Sequence, residues 1–243
     1  MTQEGASAQP ASIPDWLNRV VVFDTETTGL NLKEARIVTA CLAELDGAGN
    51  LLAPAMEWLA NPEIEIPEAA SNVHGVTTEI ARATGRVAKE VVSEILETLR
   101  GYFAAGIPVI AYNAPYDFSI LHFEALRHGL EPLGTPSPVL DPLVLDKWVD
   151  TYRKGKRKLE VTAEFYGVAL SDAHNATADA VAAGRVLQAV VAKYPEQFQV
   201  SLEELQTIQN KASRDQEASF ADYMRRSVNP DFQPNYGWPL KLN

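Results

Sequence analysis

Residues 20–23 read Val-Val-Val-Phe without a polar break, the pattern of a central strand buried on both faces. Residues 37–46 and 51–59 are also strand-like. Asp46-Gly47-Ala48-Gly49-Asn50 between them supplies turn chemistry, so the two predict a hairpin and make the first three strands antiparallel neighbours. An extended loop is expected after the Asn61-Pro62 turn. Helical patterns follow over residues 77–83 and 87–105, the second closed by Gly106 and Pro108.

A short buried strand over residues 109–112 runs into Asn113-Ala114-Pro115, and proline near a helix start opens a helix over 116–127 that Gly129 closes. A further strand is expected at 139–141, with helices near 142–150, 159–166 and 176–192. Strands followed by strand-helix alternation predict an α/β fold, a mixed sheet flanked by helices. Residues 201–226 are polar and helical in character, and the end, with Pro230, Pro234 and Pro239, reads as extended. The expected organisation is a disordered leader over 1–15, one α/β domain over 16–195, and a helix with an extended tail over 196–243. That tail is either a strap packed over the domain or a docking segment for another chain.

Composition narrows the class. Of 243 residues, 46% are hydrophobic and 22% charged, which is ordinary globular composition. No apolar run approaches the roughly 20 residues of a membrane-spanning helix, and the leader lacks the basic-then-apolar order of a secretory signal. The one cysteine, Cys41, lies in an apolar strand-like run, so a disulfide-free, cytoplasmic protein with no membrane association is expected. The formal net charge of −11 runs against binding a polyanion. Two features answer it. Carboxylates that hold divalent cations invert their local field, and residues 153–158 read Arg-Lys-Gly-Lys-Arg-Lys. That run is either a solvated loop or the flank of a strand-binding cleft.

Asp24 and Glu26 stand two apart at a strand end, so period-2 geometry sends both carboxylates to one side, where open α/β sheets bind ligands. Asp117 falls in the first turn of its helix, just after a buried strand, and Asp179 lies early in a later helix. Each alone is ordinary helix-start charge. As a set the four converge, and convergent carboxylates need a cation. Oxygen-only ligands suit magnesium or manganese, and two such ions about 3.5–4 Å apart would clamp an in-line phosphoryl displacement. His174 precedes Asp179 by five positions, about 140° apart on one helix, so it shares the site only from a loop before the helix, with Asn175 as the cap. A neutral imidazole there suits proton removal from water. His122 and His128 read as structural. His74, in Asn72-Val73-His74-Gly75, is expected in a loop, either bounding the cleft or tying that loop down.

With these residues placed, the chain resembles the DEDDh exonucleases, the family of the proofreading epsilon subunit of bacterial DNA polymerase III. Phe23-Asp24-Thr25-Glu26-Thr27-Thr28-Gly29-Leu30 matches the first family motif, Tyr112-Asn113-Ala114-Pro115-Tyr116-Asp117 the second, and His174-Asn175-Ala176-Thr177-Ala178-Asp179 the third. The resemblance implies a ribonuclease-H-like sheet and hydrolysis from a 3′ end to nucleoside 5′-monophosphates, with two divalent ions, Mg2+ or Mn2+. By position it makes Asp24, Glu26, Asp117 and Asp179 metal ligands and His174 the general base. Thr25 and Thr28 would approach the terminal nucleotide, and Asn113 and Tyr116 would line its pocket; His74 and, in the basic run, Lys156, Arg157 and Lys158 stay candidates to flank the strand on their own placement. Tyr116 stands where the family commonly has phenylalanine. The implied partners are single-stranded DNA or other nucleic-acid 3′ ends, with a DNA polymerase as a further candidate. An RNA or oligoribonucleotide exonuclease is the alternative, and a non-catalytic polymerase-binding subunit the rival of another class. Proofreading, repair, RNA turnover and the oligomeric state are left open.

Overall fold

A computed structural model describes residues 13–170 and 175–242. The apolar run opens β1 (Arg19–Thr27), which pairs antiparallel with β2 (Ile37–Asp46), and β2 pairs antiparallel with β3 (Met56–Asn61). Two further strands, β5 (Val109–Ile110) and β6 (Val139–Leu140), lie parallel to β1 on its other side. With β4 (Arg86–Val87) beside β3, the order is β4-β3-β2-β1-β5-β6. This is the mixed sheet flanked by helices that the patterning predicts, with a ribonuclease-H-like architecture.

Alternation along β1 divides the core. Val21 and Phe23 face α3 (Ala88–Ala104) and α4 (Pro115–Arg127), while Val20 and Val22 face α5 (Pro142–Val149), α6 (Leu159–Tyr166) and α7 (Ala176–Lys193). Every one of those four strand side chains is fully buried. Helix α7 lies close on the sheet at Gly184, where a Cβ would come 2.5 Å from Leu45 Cδ1 and 2.7 Å from Val22 Cγ1.

Three expectations change. The second strand of the hairpin starts at Met56 and not at Leu51, since Leu51 makes only an isolated bridge to Leu45 and Pro54 brings no N–H to a ladder. The apolar run stops at Asp24 but β1 continues to Thr27, so Asp24 and Glu26 are a strand-end pair whose strand is longer than its apolar part. The loop expected to hold His74 is a short helix, α1 (Glu68–His74), stopped by Gly75 at φ 77°, and α2 (Thr78–Thr84) follows with the Thr77 hydroxyl as its N-cap.

The polar C-terminal helix α8 (Leu202–Ser227) starts from a capping box between Ser201 and Glu204 and lies along β6. There it completes the sheet edge with side chains. Gln206 accepts from the Val139 N–H at 3.0 Å, Gln209 accepts from the Asp141 N–H at 2.6 Å, and both amides donate to the Val139 carbonyl. An open edge is thereby closed. Beyond α8 the chain returns over the first core with Trp238 and Leu240, and the Lys241 N–H donates to Ser119 Oγ at 2.8 Å. Among the described residues no helix is long and apolar enough to cross a membrane.

Candidate active site

Asp24 and Glu26 project from the α7 face of β1, toward the start of the helix that carries Asp179. Asn175 caps that helix, its side chain accepting from the N–H groups of Thr177 (3.0 Å) and Ala178 (3.3 Å). From the other face Asp117 enters in the first turn of α4, which Pro115 opens. Its carboxylate accepts from both the N–H (2.9 Å) and the hydroxyl (2.8 Å) of Thr25, and this pins the helix start against β1.

Electrostatics places the four acids together. Burial holds Asp24 well above the usual carboxylate range, and Asp117, Glu26 and Asp179 push it further. Burial, then Asp179 and Asp117, raises Glu26 to about 7. Burial also lifts Asp117 to about 7 against the two Thr25 hydrogen bonds. The neighbours that raise Asp24 are all acidic, the condition in which a bound cation is most favourable. Among the described residues no three His, Cys, Asp or Glu side chains already form a finished ion cage, but the all-oxygen set has the chemistry of a hard divalent ion. His174 lies outside the described residues.

The remaining candidates divide. Thr25 spends both N–H and hydroxyl on Asp117, so it positions an acid instead of facing solvent. Thr28 folds its own turn, its N–H donating to the Arg36 carbonyl and its hydroxyl oxygen accepting from the Arg36 N–H. The Tyr116 phenol hydrogen-bonds the Gly29 carbonyl at 2.9 Å and Thr27 Oγ1 at 2.5 Å, a link phenylalanine cannot make. Asn113 sits at φ 65°, and its N–H and that of Ala114 each donate to the Asp141 carboxylate at 3.0 Å. His74 lines a cleft of about 330 Å³ with Thr39, Glu57 and Thr177. Burial lowers the pKa of His74, and the neighbouring Thr27 backbone partly restores it.

The basic run is not uniform. Arg153 and Arg157 both pair with the buried Asp146 carboxylate at 2.5 Å, and Arg157 Nη2 also donates to the carbonyls of Asp150 and Arg153. Arg157 is thus committed inside the fold, whereas Lys154, Lys156 and Lys158 are exposed. The loop is tied to the second motif, because the Tyr112 phenol donates to the Arg157 carbonyl at 2.7 Å.

Two residues of the site carried no sequence signal. Asp141 caps α5 through the Leu143 N–H while cradling the backbone of Asn113 and Ala114, and burial lifts it to about 6. Glu57 stands in a cross-strand row, Asp24 opposite Cys41 and Cys41 opposite Glu57, and accepts from the Thr177 hydroxyl at the start of α7. A strand acid reads as a solvent-facing residue until the row beside it is known.

Comparison with known proteins matches residues 21–187 to a family profile described as "Exonuclease" (RNase T). A DNA polymerase III PolC-type protein of Pediococcus pentosaceus is 27% identical over 168 residues, 69% of this chain but 11% of that one. A DNA polymerase III subunit epsilon-like protein of Rhodobacter capsulatus is 32% identical over 165 residues, 67% of this chain and 22% of that one. The chain therefore spans a small part of the curated relatives it matches. In fold it is similar to E. coli Exonuclease I in complex with a dT13 oligonucleotide, with a TM-score of 0.63, 19% identity, and coverage of 74% of this chain and 42% of that one.

Proposed function

Because the chain belongs to the exonuclease family, in its DEDDh (DnaQ-like) branch, we propose that it removes nucleotides one at a time from DNA 3′ ends, releasing nucleoside 5′-monophosphates. The observation that carries this reading is the gathering of the acids around β1: Asp117 is hydrogen-bonded to Thr25, the residue between Asp24 and Glu26, and the charges of Asp117, Glu26 and Asp179 all bear on the buried Asp24. Four acids sharing one field suit divalent ions far better than solvent.

Asp24, Glu26 and Asp179 would hold one Mg2+ or Mn2+ ion, and Asp117 would serve a second. Such ions, when bound, activate water and stabilise charge on the leaving oxygen. The chain's own groups do the rest. His174 takes the proton from the attacking water. Thr25 keeps Asp117 aimed at β1, and the Tyr116 phenol and Asp141 hold the two loops that frame the terminal nucleotide. His74 and Asn113 bound that nucleotide, and Lys156 and Lys158 meet phosphates of the strand that leads to it. We assign catalysis to residues 16–195, with residues 196–243 as a brace. A polymerase is proposed as partner on the names of the relatives, and a cytoplasmic setting on the single buried thiol.

The test is Mg2+-dependent release of mononucleotides from a 3′-labelled oligodeoxynucleotide, with the matched RNA oligomer in parallel. Asp24→Ala should abolish release. His174→Ala should slow it by about 10² to 10⁴ while keeping metal affinity. Equal release by the parent and Asp24→Ala removes the assignment, and preferred cleavage of the RNA moves the substrate to oligoribonucleotides.

A further inference from the structure

A furrow runs between α5 and α8 as two hollows of about 250 and 460 Å³ that share Lys147, Gln216 and Phe220 in their walls. The first begins at Asn113 and Pro115 of the second motif, and the other ends at Arg153, Arg157 and Tyr223. It therefore leads away from the carboxylates toward the basic loop. One side of its wall is α8, which the family match at residues 21–187 does not include.

Three features mark the furrow as a binding surface. Helix α8 buries Leu205, Ala212 and Ala221, yet turns Phe220 and Tyr223 outward, 50% and 54% exposed and one turn apart. Arg153 lines the outer hollow with its side chain only 7% exposed, and its buried Nε has no hydrogen-bond partner. A buried unpaired donor is costly unless an acceptor meets it. Beyond the furrow the loop after α5 presents Tyr152, 94% exposed, among Lys154, Lys156 and Lys158. The acids lining the furrow are already engaged: Asp141 by the N–H groups of Asn113 and Ala114, Asp215 by Lys211 at 2.6 Å, and Glu217 by Lys241 at 3.0 Å. Flat rings alternating with cations, in a chain of net charge −11, suit one class of polyanion. A peptide helix would want an unbroken apolar stripe, and Lys147, Gln216 and Arg153 interrupt this one.

We propose that the furrow carries the single strand upstream of the terminal nucleotide. Bases stack on Phe220, Tyr223 and Tyr152, and phosphates meet Lys147, Arg153 and the loop lysines. The reading rests on the proposed function, because the 3′ end must sit at Asp24 for the strand to leave past Asn113. It makes the enzyme sensitive to strand length: short oligomers reach only the carboxylate cleft, and long ones also engage the furrow.

Binding is measured by fluorescence anisotropy in EDTA with labelled oligothymidylates of about four and about twenty nucleotides, a span bracketing common single-strand site sizes. In the full chain, Phe220→Ala with Tyr223→Ala should weaken the long oligomer on the order of tenfold and the short one far less. Lys154→Ala with Tyr152→Ala should flatten the salt dependence of the long oligomer by about 0.7 in log-log slope, because one phosphate is no longer neutralised. Both pairs are on exposed surface, and unchanged melting curves establish that they fold. Parent-like affinity for the long oligomer in both variants, or equal losses for both lengths, overturns the proposal and leaves the furrow to a protein partner. A parent that binds with this length dependence but releases no nucleotide would instead overturn the proposed function alone.

Discussion

Removing the Asp146 carboxylate should be the most damaging single change outside the catalytic acids. Asp146 is fully buried, and its Oδ2 accepts from Arg153 and Arg157 while Oδ1 accepts from the Tyr166 hydroxyl at 2.8 Å. The two guanidinium side chains are only 7% and 10% exposed. Asp146→Ala therefore strands two cations in low dielectric, and breaking a buried pair from one side costs about 3–5 kcal/mol. The orphaned Tyr166 hydroxyl adds to that. Some relief comes from Phe165, whose ring lies 4.2 Å from the Arg153 guanidinium, and from the carbonyls that Arg157 keeps. The expected loss stays near 3–5 kcal/mol, a large share of the roughly 5–15 kcal/mol by which domains are stable. Asp146→Asn retains a carbonyl acceptor and should cost about half as much. Urea titration of the two variants beside the parent reads this directly. The damage should reach function as well, since the Arg157 carbonyl holds Tyr112 beside Asn113, so single-strand affinity should fall with stability. A loss for Asp146→Ala of under about 1 kcal/mol would falsify the ion-pair account.

Gln209→Ala leaves the buried Asp141 N–H without its acceptor and should destabilise by about 1–3 kcal/mol in the same titration; a neutral result means that the β6 edge does not depend on α8. Gly184→Ala drives a Cβ into Leu45 and Val22 and should cost about 1–3 kcal/mol by thermal melting, and a raised melting temperature refutes the close approach. Without divalent ions, stability should fall as pH rises from about 4 to about 7. Glu26 and Asp117 stay protonated in the fold to about 7, while their unfolded counterparts ionise near 4, so across that window the native state binds more protons. Mg2+ should therefore stabilise more at pH 8 than at pH 5 in melts with and without EDTA; an equal gain at both would remove these acids from its site.

What the sequence made legible follows from what hydrophobic pattern can encode. β2 and α6 have the expected ends because β2 is a nearly continuous buried run that stops at the Asp46-Gly47 turn, and Gly167 stops α6 at φ 68°. Helix α1 buries no side chain, so periodicity could not mark it; only Pro67 before it and Gly75 after it did. The acids of the site were legible as a motif. The roles of Thr25 and Asp141 were not, because each satisfies backbone or side-chain groups far away in the chain, and only the fold selects those partners. Gln206 and Gln209 were hidden for the same reason: a helix that is polar in sequence places two amides on a strand edge.

The basic run carries this furthest, because identical charge in sequence becomes two different functions in the fold. Arg153 and Arg157 have planar forks that reach one buried carboxylate together, a geometry lysine does not offer. Lys154, Lys156 and Lys158 between and beside them are left in water by the same turn. The arginines thus set the shape of the loop, with only the Arg153 Nε left over for a phosphate in the furrow, and the lysines set its field. A net charge of −11 then says little about affinity for a polyanion. Acids scattered over the surface are screened within about 10 Å at 0.1 M salt, whereas cations held at the mouth of a cleft act on the phosphates they touch. On this argument, Lys156→Ala with Lys158→Ala should weaken binding of single-stranded DNA and reduce its salt slope without loss of stability, while Arg157→Ala should unfold the loop first. If all three substitutions lowered stability alike, the division of labour within the run would be wrong.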